Sequence, residues 1–197
     1  HTINFNRTKD QFVDVLATFH QNEPLRSGMN KAEFKNKINV APAIYDLCMK
    51  DLISQNRIAD VNQLVKLSSH KITLADDDRK IADSINYILL KTQFSTPNET
   101  EISKELGISQ ADVSRILGAL QGLDEILRME GNIYFHQKSI EDAKSILAKC
   151  RQTSEEISVS TFREELNTSR KYAMAILGYF DELGVTERIG EVRLINL

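Results

Sequence analysis

With 41% apolar and 27% charged side chains, the 197 residues have the make-up of a folded globular protein and exclude a disordered chain. No run approaches the roughly 18 uninterrupted apolar residues of a membrane span, and no basic-then-apolar signal segment opens the sequence. A net charge of −3 excludes the bulk grip of a strongly basic nucleic-acid-binding domain, so any phosphate contact must come from a local cluster.

The first element is an amphipathic helix with Phe12, Leu16 and Phe19 on one face. A short second helix around residues 30–38 follows, then a turn at Asn39-Val40-Ala41-Pro42 into a third helix, with Pro42 where a missing N–H costs nothing. From residue 76 the order repeats. Asp76-Asp77-Asp78 suits a helix N-terminus, and Ile81, Ile85, Ile88 and Leu89 form its apolar stripe. A short helix at 99–106 and a turn at Gly107-Ile108-Ser109 lead to a third helix carrying Val113, Ile116, Leu117 and Leu120. Two strand-like runs, Glu125–Met129 and Ile133–His136, read as a β-hairpin. The third round begins with Ile140, Ala143, Ile146 and Leu147. It continues through a short helix at 160–166, with Ser160 or Thr161 ahead of Glu164 resembling a capping box. The turn Asn167-Thr168-Ser169 then opens a helix carrying Ala173, Ile176, Leu177 and Phe180, and runs at Val185–Ile189 and Val192–Ile195 form a second hairpin. Ser109 and Ser169 are good N-caps.

The repetition is also visible residue by residue. A shift of 60 positions superposes Glu105-Leu106 on Glu165-Leu166, Ile116-Leu117-Gly118 on Ile176-Leu177-Gly178, and Leu123 on Leu183. A fainter copy lies 68 positions earlier, aligning Phe34 with Ile102 and Tyr45 with Val113. Three helices with a helix-turn-helix and a hairpin wing describe a winged helix. The predicted fold is therefore mainly α with small β-hairpin wings: a tandem array of three winged-helix modules, at residues 1–75, 76–138 and 139–197. The second junction holds no Pro or Gly, which predicts a rigid connection there.

Chemistry is sparse. There is no phosphate-binding glycine loop, no dinucleotide fingerprint, no H-E-x-x-H and no nucleophile elbow, so no enzyme is predicted. Cys48 and Cys150 form no C-x-x-C pair and read as small buried hydrophobes, which predicts neither metal nor disulfide and a reducing, cytoplasmic setting. His1 in place of an initiator Met suggests a piece of a longer protein.

The three copies serve as controls for one another. Where the first turn of a reading helix meets nucleic acid, copy one has Pro42-Ala43, copy two Gln110-Ala111 and copy three Arg170-Lys171. The wing of copy three adds Arg188 and Arg193 around Gly190, and strand alternation predicts that both share a face with Val192 and Leu194 packing beneath. Tyr172 is a candidate platform for an unpaired base, and Tyr179 is a packing residue. The bland alternative makes Arg170 and Lys171 solvated residues paired with nearby glutamates.

The run Val159-Ser160-Thr161-Phe162-Arg163-Glu164-Glu165-Leu166-Asn167-Thr168-Ser169-Arg170-Lys171-Tyr172-Ala173, with Arg188-Ile189-Gly190-Glu191-Val192-Arg193, resembles the last winged helix of the bacterial selenocysteine-specific elongation factors, the SelB family. Phe19–Met29 is similar to the entry into that family's second winged helix. The resemblance implies that these are the second, third and fourth of four winged helices behind a GTP-binding, tRNA-carrying portion. It implies that the last binds an mRNA hairpin, the SECIS element, for selenocysteine insertion at UGA. It nominates Ser169, Arg170, Lys171, Tyr172, Arg188, Gly190 and Arg193 as RNA-binding. It also implies a monomer, ribosome and selenocysteinyl-tRNA as partners of the full-length protein, and GTP and magnesium only there, with no cofactor in this segment. Glu187 and Glu191 stand where the family commonly has a basic residue and Asp, and Asn167 where Gly is frequent. About four phosphate contacts predict a log–log salt slope near −3. The rivals are a DNA-binding regulator, which usually needs a dimer, and a protein-interaction scaffold, which predicts no salt-dependent nucleic-acid binding.

Overall fold

A computed structural model describes residues 2–197, with side chains from Phe5 onward; His1, the first residue of the expected first module, lies outside the described residues. The chain divides into two compact units, His1–Ala75 and Asp76–Leu197.

The first unit runs α1 (Thr2–Asn22), β1 (Met29–Asn30), α2 (Lys31–Ile38), α3 (Pro42–Ser54), β2 (Ile58–Val61) and β3 (Leu64–Leu67). Its three strands are ordered β1-β3-β2, all antiparallel. The α1 stripe is buried as Phe12, Leu16 and Phe19, meeting Phe34, Tyr45 and Leu52 in one core. Phe12 stands edge-on to Phe34 at 5.5 Å. Between α2 and α3, Asn39 takes the left-handed conformation (φ 46°) that lets the chain turn, and its N–H is bonded to the Lys35 carbonyl.

Against this core the rings of His20 and His70 stack at 3.6 Å, and the Leu67 N–H donates to His20 Nε2. Burial, with the charges of His70 and Lys66 behind it, lowers the His20 pKa from 6.5 to about 4. The unfolded ring therefore takes up a proton at a pH where the folded ring stays neutral. Stability is full above pH 6.5 and falls by about 3 kcal/mol as pH drops towards 4. An NMR titration of the intact chain is expected to give a His20 midpoint near 4; a midpoint near 6.5 would refute this account.

The second unit runs α4 (Asp76–Thr92), α5 (Glu99–Leu106), α6 (Gln110–Gly122), β4 (Ile126–Met129), β5 (Ile133–His136), α7 (Gln137–Arg151), β6 (Glu156–Ser158), α8 (Val159–Glu165), α9 (Arg170–Glu182), β7 (Thr186–Ile189) and β8 (Val192–Ile195). It holds two winged helices in succession. The first has a two-stranded wing, β4-β5; the second has a three-stranded sheet ordered β6-β8-β7.

Local signals explain the helix starts. Asn98 and Glu101 form a reciprocal capping box at α5, and Ser109 caps α6. The cap of α8 is Ser158, which accepts from the Thr161 N–H, rather than the expected Ser160 or Thr161. Asn167 is left-handed (φ 47°), as a turn that tolerates Asn in place of Gly requires.

No linker separates the two winged helices of this unit. His136 ends β5 and caps α7, its Nδ1 accepting from the Lys138 N–H. Phe94, Met129, Ile133 and Phe135 join Ile140, Phe162, Ala173, Ile176 and Phe180 in one buried cluster. Residues 76–197 therefore form one compact unit, in which Phe94 and the wing of the first winged helix pack into the core of the second.

Candidate nucleic-acid interface

The reading helix of the last winged helix is α9. Ser169 is its N-cap, with extended φ and ψ of −85° and 160°, and its hydroxyl makes no capping bond. No acidic side chain lies in the first turn, so the amide dipoles there are not offset from within the helix. Arg170 and Lys171 are exposed, and among the described residues neither pairs with a carboxylate. Lys171 Nζ sits 5.4 Å above the Tyr172 ring.

The corresponding turn of α6 is electrically closed. Gln110 donates to Thr100 Oγ1 at 2.6 Å, and Asp112 is bonded by Ser109. Arg115, one turn on, makes a two-pronged contact with Asp78 at 2.8 and 2.9 Å, using one member of the acidic triplet that starts α4. Those bonds hold the Asp78 carboxyl below its ordinary pKa. In the first unit, Pro42, Ala43, Ile44 and Leu47 leave the same face of α3 apolar and exposed. Of the three reading helices α3, α6 and α9, only α9 offers unpaired cations at its start among the described residues.

The wing of the last module corrects part of the expectation. Arg188 and Arg193 are direct cross-strand partners and do share a face. That face looks inward. Arg193 also lies opposite the buried Ile157 of β6, and on the same side Thr186 pairs with Ile195, both buried. Arg193 is 6% exposed, and its Nε donates to both oxygens of Asp181 at 2.9 and 3.2 Å. Thr186 Oγ1 donates to the same carboxylate. Arg193 is therefore a neutralised structural cation that ties β8 to the end of α9, not a free contact for RNA. Val192 and Leu194 stand on the opposite, outer face with Ile189 and Glu187. Arg188 escapes enclosure because it lies nearer the tip; it is exposed, its Nε donating to the Gly190 carbonyl at 3.2 Å. Gly190 turns the tip at φ +62°, a conformation that strains other residues.

Tyr172 is also reassigned. Its ring is half-buried, edge-on to Phe135 at 6.1 Å, and its hydroxyl donates to the Thr96 carbonyl at 2.7 Å. Burial, with the Glu101 charge behind it, raises its pKa, which keeps the phenol a donor. A ring so engaged is not a free stacking platform. Tyr179 packs on the shared core, 6.3 Å from Phe180.

The nominated residues thus fall into three groups. Ser169, Arg170 and Lys171 form an exposed turn, Arg188 and Gly190 form an exposed wing tip, and Tyr172 and Arg193 are structural. No hydrogen bond or ion pair among the described residues joins the first group to the second. Sequence reasoning missed Thr168, which donates to the Phe94 carbonyl and shares a hydrogen bond with Ser95 Oγ at 2.9 Å. Its partners lie more than 70 residues away, and no local pattern marks them.

Two family models match the chain, both described as "Elongation factor SelB, winged helix", over residues 13–67 and 149–195. A selenocysteine-specific elongation factor of Desulfomicrobium baculatum is 20% identical over 186 residues, covering 93% of this chain and 29% of its own length. Among solved structures, the mRNA-binding domain of elongation factor SelB from E. coli, in complex with SECIS RNA, matches with a TM-score of 0.54 at 20% identity. It covers 62% of this chain and 98% of its own. A crystal structure of bacterial selenocysteine-specific elongation factor EF-Sec matches with a TM-score of 0.51 at 21% identity, over 98% of this chain and 30% of its own. The chain thus spans under a third of the whole factors it resembles, and the two structural matches bear on the fold.

Proposed function

Because the chain belongs to the SelB family, as part of its winged-helix region, we propose that its last module grips an mRNA hairpin through the first turn of α9 and the tip of the wing. One observation carries the assignment to residues: Arg170 and Lys171 stand exposed and unpaired at a helix start whose counterparts in the other two modules carry no such cations. A backbone phosphate of the hairpin loop suits Arg170, Lys171 and the free Ser169 hydroxyl, with the α9 amides adding their dipole. Arg188 adds a second contact beside Gly190. Loop nucleotides suit this reading because their bases are already unstacked and accessible. The related E. coli domain, solved with SECIS RNA, supports RNA as the ligand.

In the full-length factor, tethering by this module would hold the GTP-binding portion near the ribosome with its selenocysteinyl-tRNA, an effective-concentration effect that needs a stiff array. GTP and magnesium would belong to that portion, and the segment would act as a cytoplasmic monomer with no cofactor. No helix of the described residues is long and apolar enough to cross a membrane.

The test is a titration of labelled RNA hairpins against the chain at several salt concentrations. With Arg193 occupied, the count falls to about three phosphate contacts, so the log–log slope is expected near −2 instead of −3. Duplex DNA of equal length should bind more weakly, and sedimentation should show a monomer. Preference for duplex DNA, or binding without salt dependence, would replace this reading with one of its rivals.

A further inference from the structure

The two residues that bracket the cationic turn both reach out of their own module. Thr168, two positions before Arg170, donates to the Phe94 carbonyl and meets Ser95 Oγ. Tyr172, two positions after it, donates to the Thr96 carbonyl. Three consecutive residues of the loop after α4 are thus met by hydroxyls from both flanks of Ser169-Arg170-Lys171. The anchor is itself fixed: Phe94 and Thr96 are buried, Phe94 lies in the shared core, and Asn98 begins α5 with its capping box. Phe135, from the wing of the same module, supports the Tyr172 ring from the side.

We propose that the middle module positions the RNA-gripping turn, with Phe94-Ser95-Thr96 as the anchor and Thr168 and Tyr172 as positioning residues that hold Arg170 and Lys171 without touching RNA. The inference rests on the function proposed above and extends it, giving the middle module a part in recognition although it has no free cation at its own reading helix. Long cationic side chains lose much rotamer freedom on binding. A backbone fixed on both sides limits that cost to the side chains alone, so the turn meets a phosphate already arranged.

The experiment compares the full chain with Thr168→Val, Thr168→Ser and Tyr172→Phe. Each removes at most one hydroxyl and no charge. Thr168→Val and Tyr172→Phe are each expected to weaken hairpin binding about three- to tenfold, as the loss of one neutral hydrogen bond implies. The salt slope should stay at the wild-type value because no phosphate contact is lost, and Thr168→Ser should restore affinity. Hydrogen exchange of the Thr168 and Ala173 amides, which are bonded to the Arg163 and Ser169 carbonyls on either side of the turn, should quicken in Thr168→Val.

Wild-type affinity in both hydroxyl-deleted variants would overturn the proposal. So would weakened binding with unchanged protection of the Thr168 and Ala173 amides in Thr168→Val, which would make the hydroxyl a direct RNA contact. Should the wild-type chain bind no hairpin at all, the RNA reading fails by itself. Amide exchange in Thr168→Val still decides the clamp, and unchanged protection refutes it.

Discussion

Alanine at both Arg170 and Lys171 is expected to abolish hairpin binding at ordinary salt while leaving the fold intact. Both side chains are exposed and carry no ion pair among the described residues, so their removal costs the protein almost nothing. Each charge-assisted contact contributes about 1.5–3 kcal/mol. Losing two would weaken binding by roughly a hundredfold to about twenty thousandfold, at 1.4 kcal/mol per factor of ten. The log–log salt slope should become shallower by about 1.4. Filter binding or anisotropy at three salt concentrations measures both quantities, and circular dichroism checks the fold. Unchanged affinity would remove the site assignment outright.

The second large effect concerns stability. Phe135→Ala should destabilise residues 76–197 by about 3–5 kcal/mol, because the ring is fully buried and its removal leaves a cavity that a packed core only partly closes. Phe135 lies in the cluster shared by both winged helices of the unit, so the loss is expected to spread to both modules. For a body of this size, the shift in Tm is about 12–20 °C. One cooperative transition for residues 76–197, moved downward as a whole, is the expected result in urea or heat. Two separate transitions, only one of them displaced, would show that the core is not energetically continuous.

Much of the fold was legible because periodicity records burial. The stripes at Phe12-Leu16-Phe19, Ile85-Ile88-Leu89 and Ile176-Leu177-Phe180 are buried as the helical spacing required. Ser109 was readable as a cap and Asn167 as a left-handed turn, because both depend on neighbouring residues alone. The strands β1 and β6 escaped notice, since two or three residues cannot display an alternation.

The site was legible only in part, for a related reason. Alternation established that Arg188 and Arg193 share a face, but it could not say whether that face looks outward. Ile157 and Asp181, on other elements, decide that it looks inward. The destination of Tyr172 is likewise set by Thr96, 76 residues earlier. Free cations at Arg170 and Lys171 were predictable because their exposure follows from their place at a helix start.

The direct passage from β5 into α7 has a mechanical corollary. His136 belongs to the wing and to the helix end at once, so the join has no slack to absorb a pull. A pull applied to the last module would therefore load the middle one directly, as torque instead of being lost in a slack tether.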